Sequence, residues 1–135
     1  MTYLLDTNIV SYFIRGDQAV VGRVRATRPS DIAVSAITVF ELRYGAAKRG
    51  SPKLTASIDA VLASMAVLPF DEDAAARSGA LRAKMEAQGS PVHMSDLLIA
   101  AHALASGRTL VTNNTKDFAR IPNLTLEDWA RVGGV

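Results

Sequence analysis

At 135 residues, 49% hydrophobic and 21% charged, the chain has the length and composition of one globular domain with a real core, which excludes a disordered or low-complexity segment. It has no cysteine and only two histidines, His93 and His102, which excludes a disulfide framework and argues against thiolate or histidine-rich zinc sites. The net charge of +2, from 15 basic and 13 acidic residues, is by itself a weak argument for a nucleic-acid partner. Asp6 interrupts the N-terminus before a signal peptide could form, and no apolar stretch reaches the roughly 20 residues of a membrane helix. A cytoplasmic protein with no membrane partner is expected. Any metal would be held by oxygen, which favours Mg²⁺ or Mn²⁺.

The chain opens on Tyr3-Leu4-Leu5, a short apolar run that ends in Asp6. Residues 7–15 then read as a helix with Ile9, Val10, Phe13 and Ile14 on one side, stopped by Gly16. Residues 17–28 read as a second helix, with Val20, Val21 and Val24 inward and Arg23, Arg25 and Arg28 outward, broken at Pro29. A short strand over 31–35 leads to a helix over 38–49 that ends at Gly50. Pro52 fits the first turn of the next helix, where its missing N–H costs nothing. That helix carries Leu54, Ile58, Val61, Leu62 and Met65 at helical spacing.

Residues 67–70 form the next strand candidate, and 71–88 a long Ala-rich helix closed by Gly89. A loop over 90–95 precedes a helix over 96–106, ended by Gly107. Residues 109–112 read as a strand, 113–120 as a polar turn with about one helical turn, and 124–126 as a last strand. Alternation of strand and helix predicts a single α/β domain over residues 1–135, with a short, mostly parallel sheet covered on both faces and right-handed crossovers.

Four acids stand out, and each has an ordinary explanation taken alone. Asp6 suits a helix N-cap. Glu41 completes Thr38-x-x-Glu41, a capping-box pattern. Asp96 opens a helix it could cap, and Asp117 lies in a polar turn. Jointly they say more, because strand ends and helix starts gather at the carboxyl edge of a parallel sheet. Glu41 also falls between Ile37 and Tyr44 on a largely apolar stripe, where an isolated charge is costly and a cation partner attractive. With four acids consumed in one pocket, the remaining surface is distinctly basic.

The chain resembles the PIN-domain ribonucleases, and within them the VapC toxins of bacterial type II toxin–antitoxin pairs. The segments that carry the resemblance are Leu4-Leu5-Asp6-Thr7-Asn8-Ile9, Ser35-Ala36-Ile37-Thr38-Val39-Phe40-Glu41-Leu42-Arg43-Tyr44-Gly45, Asp96-Leu97-Leu98-Ile99-Ala100-Ala101-His102-Ala103 and Thr109-Leu110-Val111-Thr112-Asn113-Asn114-Thr115-Lys116-Asp117-Phe118. The resemblance implies a three-layer α/β/α PIN-like fold and an acidic metal-binding cluster of Asp6, Glu41, Asp96 and Asp117, with Thr112 and Asn113 as hydrogen-bonding support. It also implies a VapB-type antitoxin partner, a homodimer and an RNA substrate, with the anticodon loop of initiator tRNA as one expectation. One departure is visible: His93 stands where the family usually has Gly.

Chemically, clustered carboxylates repel one another unless a cation neutralises them. Asp6 and Asp96 are the expected direct ligands, with Glu41 and Asp117 direct or through water. Arg15, Arg43, Lys48, Arg49, Lys116 and Arg120 could track an RNA backbone, although a solvated helix face is the better reading for each taken singly. Two rivals remain at this stage. One is a catalytically silent PIN-like module that binds RNA or protein. The other is a phosphoaspartyl enzyme, which needs a second acid two residues after Asp6, where this chain has Asn8.

Overall fold

In the computed structural model, which describes residues 1–130, the three innermost strands are the short apolar runs. They are β1 (Tyr3–Leu5), β2 (Ile32–Ser35) and β4 (Thr109–Val111). The outer strands, β3 (Ala66–Leu68) and β5 (Leu126–Glu127), are more exposed. All pairings are parallel and the order is β3-β2-β1-β4-β5.

Register explains how such short strands build a core. Leu4 stands opposite Ala33 and Leu110, while Leu5 stands opposite Val34 and Val111. Because side chains alternate across a strand, the first row points to one face and the second row to the other. Leu4, Ala33 and Leu110 join Leu81, Met85, Ile99 and Phe118 in one cluster. Leu5, Val34 and Val111 join Ile9, Val20, Leu42, Ile58 and Trp129 in the other. The helices α1 (Thr7–Ile14), α2 (Gln18–Ala26), α3 (Ala36–Arg49) and α4 (Pro52–Ser64) therefore supply one layer. The second layer comes from α5 (Glu72–Ala87), α6 (Met94–Ser106) and the short α7 (Thr115–Phe118). This is the expected three-layer α/β/α arrangement. Among the described residues, no helix is long and apolar enough to cross a membrane.

Several boundaries differ from the sequence reading for local reasons. The α3 helix starts at Ala36 because Ser35, not Thr38, is its N-cap: the Ser35 hydroxyl accepts from the Ile37 N–H at 3.0 Å. Thr38 and Glu41 are thus inside the helix, and the capping-box reading of the pair falls. The α6 helix starts at Met94 behind His93, whose side chain makes no capping bond, so Asp96 lies in the first turn and is not its cap. Pro29–Asp31 forms a 3₁₀ turn, and the last strand begins at Leu126, two residues later than the pattern suggests. Residues 131–135 of the predicted domain lie outside the described residues.

Candidate active site

The chain leaves β1 toward β2 on one side of the sheet, while β4 and β5 lie on the other. Between β1 and β4 the strand order reverses, the point at which open α/β sheets place their sites at the carboxyl ends of the strands. Asp6 follows β1 and Thr112 follows β4, and the two strand ends are joined by the Asp6 N–H donating to the Val111 carbonyl at 3.0 Å. Asp6 is 5% exposed and caps α1, its Oδ1 accepting from the Ile9 N–H at 2.9 Å.

Burial is the main force on the Asp6 carboxyl and pushes it up from 3.8 to about 6. The Thr112 hydroxyl and the Ile9 N–H oppose that rise by bonding the charged form, while the charges of Asp96 and Glu41 add to it. Thr112 is fully buried, and its Oγ1 also accepts from the Asn114 N–H at 3.0 Å, which fixes the hydroxyl in place. Asp96 is likewise raised, first by burial and then by Glu41 and Asp117, with His93 pulling in the opposite direction. The four acids singled out from the sequence thus share one field. None lies on a remote face.

The outer two acids are held differently. Glu41 Oε1 accepts from the Thr7 hydroxyl at 2.5 Å, and Thr7 Oγ1 lies 3.3 Å from the hydroxyl of the fully buried Thr38. The stripe from Ile37 to Tyr44 is not a buried face, since Tyr44 is 59% exposed. The inward face of α3 is instead Thr38, Leu42 and Ala46, and Glu41 sits half-buried beside it. The argument from an isolated buried charge therefore falls, and Glu41 is a rim residue. Asp117 is exposed on α7 and accepts from the Asn114 side-chain amide at 3.0 Å. Asn113 instead donates to the Tyr12 hydroxyl at 2.8 Å, so the amide that holds an acid belongs to Asn114. Thr7 and Asn114 are the site residues that sequence reasoning missed. Both lie within the motif segments, but their roles depend on contacts that local spacing does not encode.

The donor set suits a hard divalent cation by kind. It comprises carboxylates and hydroxyls, two of the carboxylates raised by desolvation and by mutual repulsion that a cation would relieve. Among the described residues, no three carboxylates or histidines already converge at ligating distance. Glu41 and Asp117 rest on Thr7 and Asn114 instead.

A family model described as PIN domain matches residues 3–124. The chain belongs to the PIN-domain family. This PIN domain is 39% identical to Ribonuclease VapC2 of Rickettsia felis, over 96% of this chain and 98% of that protein. It is 37% identical to the tRNA(fMet)-specific endonuclease VapC of Shigella flexneri, over 96% and 99%. Its fold matches the crystal structure of VapBC2 from Rickettsia felis bound to a promoter DNA fragment, with a TM-score of 0.87 at 37% identity, covering 96% of this chain and 99% of that one. VapBC-1 from nontypeable Haemophilus influenzae matches with a TM-score of 0.85 at 34% identity, covering 97% and 100%. The VapC resemblance carried by the four sequence segments therefore extends over nearly the whole PIN domain.

Proposed function

We propose that this PIN domain is a metal-dependent endoribonuclease and the toxin of a type II toxin–antitoxin pair. The observation that carries the reading is the shared field of Asp6, Glu41, Asp96 and Asp117 at the switch point of the sheet. Asp6 and Asp96 would be the direct ligands for Mg²⁺ or Mn²⁺, and Glu41 and Asp117 would complete the coordination directly or through water. Bound there, the ion supplies Lewis-acid activation of water and neutralisation of charge on the scissile phosphate. The chain's own contribution is positioning. Thr112 bonds the ionised form of Asp6, Thr7 orients Glu41, and Asn114 orients Asp117.

The substrate we propose is structured RNA, with tRNA and the initiator anticodon loop first among candidates. Support comes from the Shigella flexneri relative, whose name specifies tRNA(fMet), and from the preference of sequence-specific RNA recognition for loops and single strands. A VapB-type antitoxin is the proposed partner, supported by relatives solved as VapBC complexes.

The test is cleavage of bulk tRNA by purified protein with added Mg²⁺ or Mn²⁺, mapping the ends produced. Wild-type protein is expected to cut, and Asp6→Asn and Asp96→Asn to lose ~100-fold or more of the rate. Equal cutting by wild type and variants sinks the reading. So does the absence of cutting by any of them on a broad RNA panel, which would leave a silent binding module.

A further inference from the structure

A groove of about 320 Å³ runs away from the acids between α1, α3 and α4. Its two long walls are helical stripes with the same logic. On α1 the stripe is Thr7, Ser11 and Arg15, and on α3 it is Glu41, Gly45 and Arg49, each at i, i+4, i+8. The stripes meet at the acidic end through the Thr7–Glu41 hydrogen bond, and both end in an arginine. Eight residues of helix advance ~12 Å, so the arginines stand a few nucleotides' reach from the acids.

The six basic residues that the sequence offered for RNA tracking are not equivalent. Arg43 is paired with Asp59 at 2.6 Å. Arg120 bonds the Asp117 and Pro91 carbonyls, and Lys48 lies over the Tyr44 ring. Lys116 is exposed on α7, away from the groove lining. Arg15 rests over the Tyr12 ring, and among the described residues neither Arg15 nor Arg49 has an ion pair or a side-chain hydrogen bond. These two alone line the groove that also holds Glu41.

Gly45 lines the groove between Glu41 and Arg49. Glycine in a helix interior is unfavourable relative to alanine, yet a Cβ built at Gly45 meets no atom within 4 Å. Core packing does not require the glycine. Its missing side chain keeps the floor of the groove open between Glu41 and Arg49.

We infer that this groove is the entry track for a single strand of RNA, with Arg15 and Arg49 gripping backbone phosphates on one side of the bond to be cut. The inference rests on the nuclease reading above. Guanidiniums without an ion pair among the described residues, flanking a channel that leads to a carboxylate site, suit a polyanion whose scissile phosphate is carried toward a cation. An ordinary role for the arginines, complementing the C-terminal ends of α1 and α3, affects stability and not RNA affinity.

The test measures equilibrium binding of a short single-stranded RNA of mixed sequence across a salt series. It is done in an Asp6→Asn background so that the probe is not consumed. Replacing Arg15 and Arg49 together by Gln is expected to lower the slope of log affinity against log salt by about 1 to 1.4, for two phosphate contacts on a single strand. Gly45→Leu, in the same background, projects a side chain into the groove from a position where a Cβ meets no atom within 4 Å, and is expected to weaken binding while leaving the melting temperature unchanged or higher. It decides the matter if the arginine pair fails to fold. Arg77→Gln with Lys84→Gln, on α5 in the opposite layer, is expected to leave the slope unchanged. If wild-type protein cuts RNA but the groove variants bind as the parent does, the inference is overturned and the groove belongs to a protein segment. An equal loss of slope in the α5 control overturns it too, because binding would then be diffuse. If wild-type protein neither cuts nor binds RNA, the nuclease reading itself fails.

Discussion

Asp6 is pulled two ways by its surroundings. As the cap of α1 it accepts a backbone N–H and a Thr112 hydroxyl, which favour the charge, while burial and two neighbouring carboxylates oppose it. Burial wins, and the folded value near 6 lies above the unfolded value of 3.8. The folded state therefore binds the proton more tightly, so stability is full below about pH 4 and falls as pH rises toward 6. A shift of about two units is worth roughly 2–3 kcal/mol. In metal-free buffer, Asp6→Asn keeps a good capping residue and is expected to be more stable than wild type above pH 6 by about that amount. The gap should close toward pH 4, as urea denaturation across the pH range would show. A gap that does not vary with pH would mean that burial of the charge is not its source. Glu41 carries a different lesson at this scale. Its charge acts on both Asp6 and Asp96, yet the apolar stripe invoked to bury it is open to solvent at Tyr44.

At the scale of elements, Ser35 links the two helices that carry Glu41 and Asp96. It ends β2, is fully buried, and caps α3 through the Ile37 N–H. Its hydroxyl also shares a hydrogen bond with His102 Nδ1, 2.8 Å away on α6. Burial lowers the His102 pKa and keeps that ring neutral. Ser35→Ala removes a cap and leaves a buried ring nitrogen unpaired, so a loss of about 2 kcal/mol is expected by chemical denaturation. The opposite sign is expected for Gly45→Ala, which relieves an unfavourable helix glycine in open space and should stabilise by about 0.5–1 kcal/mol. Helix ends were legible in the sequence wherever a cap is a local matter. Asp17 and Asp71 each accept from a backbone N–H three residues on, and Gly50 adopts the left-handed conformation that ends α3. The start of α3 was not legible, because Ser35 and Thr38 are both acceptable caps. The strand register, which buries Ser35 beside His102, decides between them.

For the molecule as a whole, the family match ends at residue 124, but the core does not. Trp129 is fully buried, its ring 5.0 Å from that of Tyr3 and its Nε1–H donating to Glu127 at 3.0 Å. Arg23 lies over the same indole and pairs with Glu127 at 2.9 Å, so the segment after β5 closes the layer formed by α1–α4. Trp129→Ala is expected to cost about 3–5 kcal/mol, measured as a lower urea midpoint. A loss below 1 kcal/mol would show that the segment merely lies on the surface.

What the sequence determined by itself was whatever depends on neighbours in the chain. Alternation of apolar runs specified strands and helices, side-chain oxygens and glycines marked most helix ends, and four ordered segments carried the family resemblance. Tertiary structure alone decided the strand order and the pairing of Thr7 with Glu41, which lie 34 residues apart. It also decided that Asn114, not Asn113, holds Asp117, and that only two of six basic residues line the groove beside Glu41. The physical reason is common to these cases. Local periodicity sets which way a side chain points from its own element, whereas a contact across elements depends on the register in which separate elements pack.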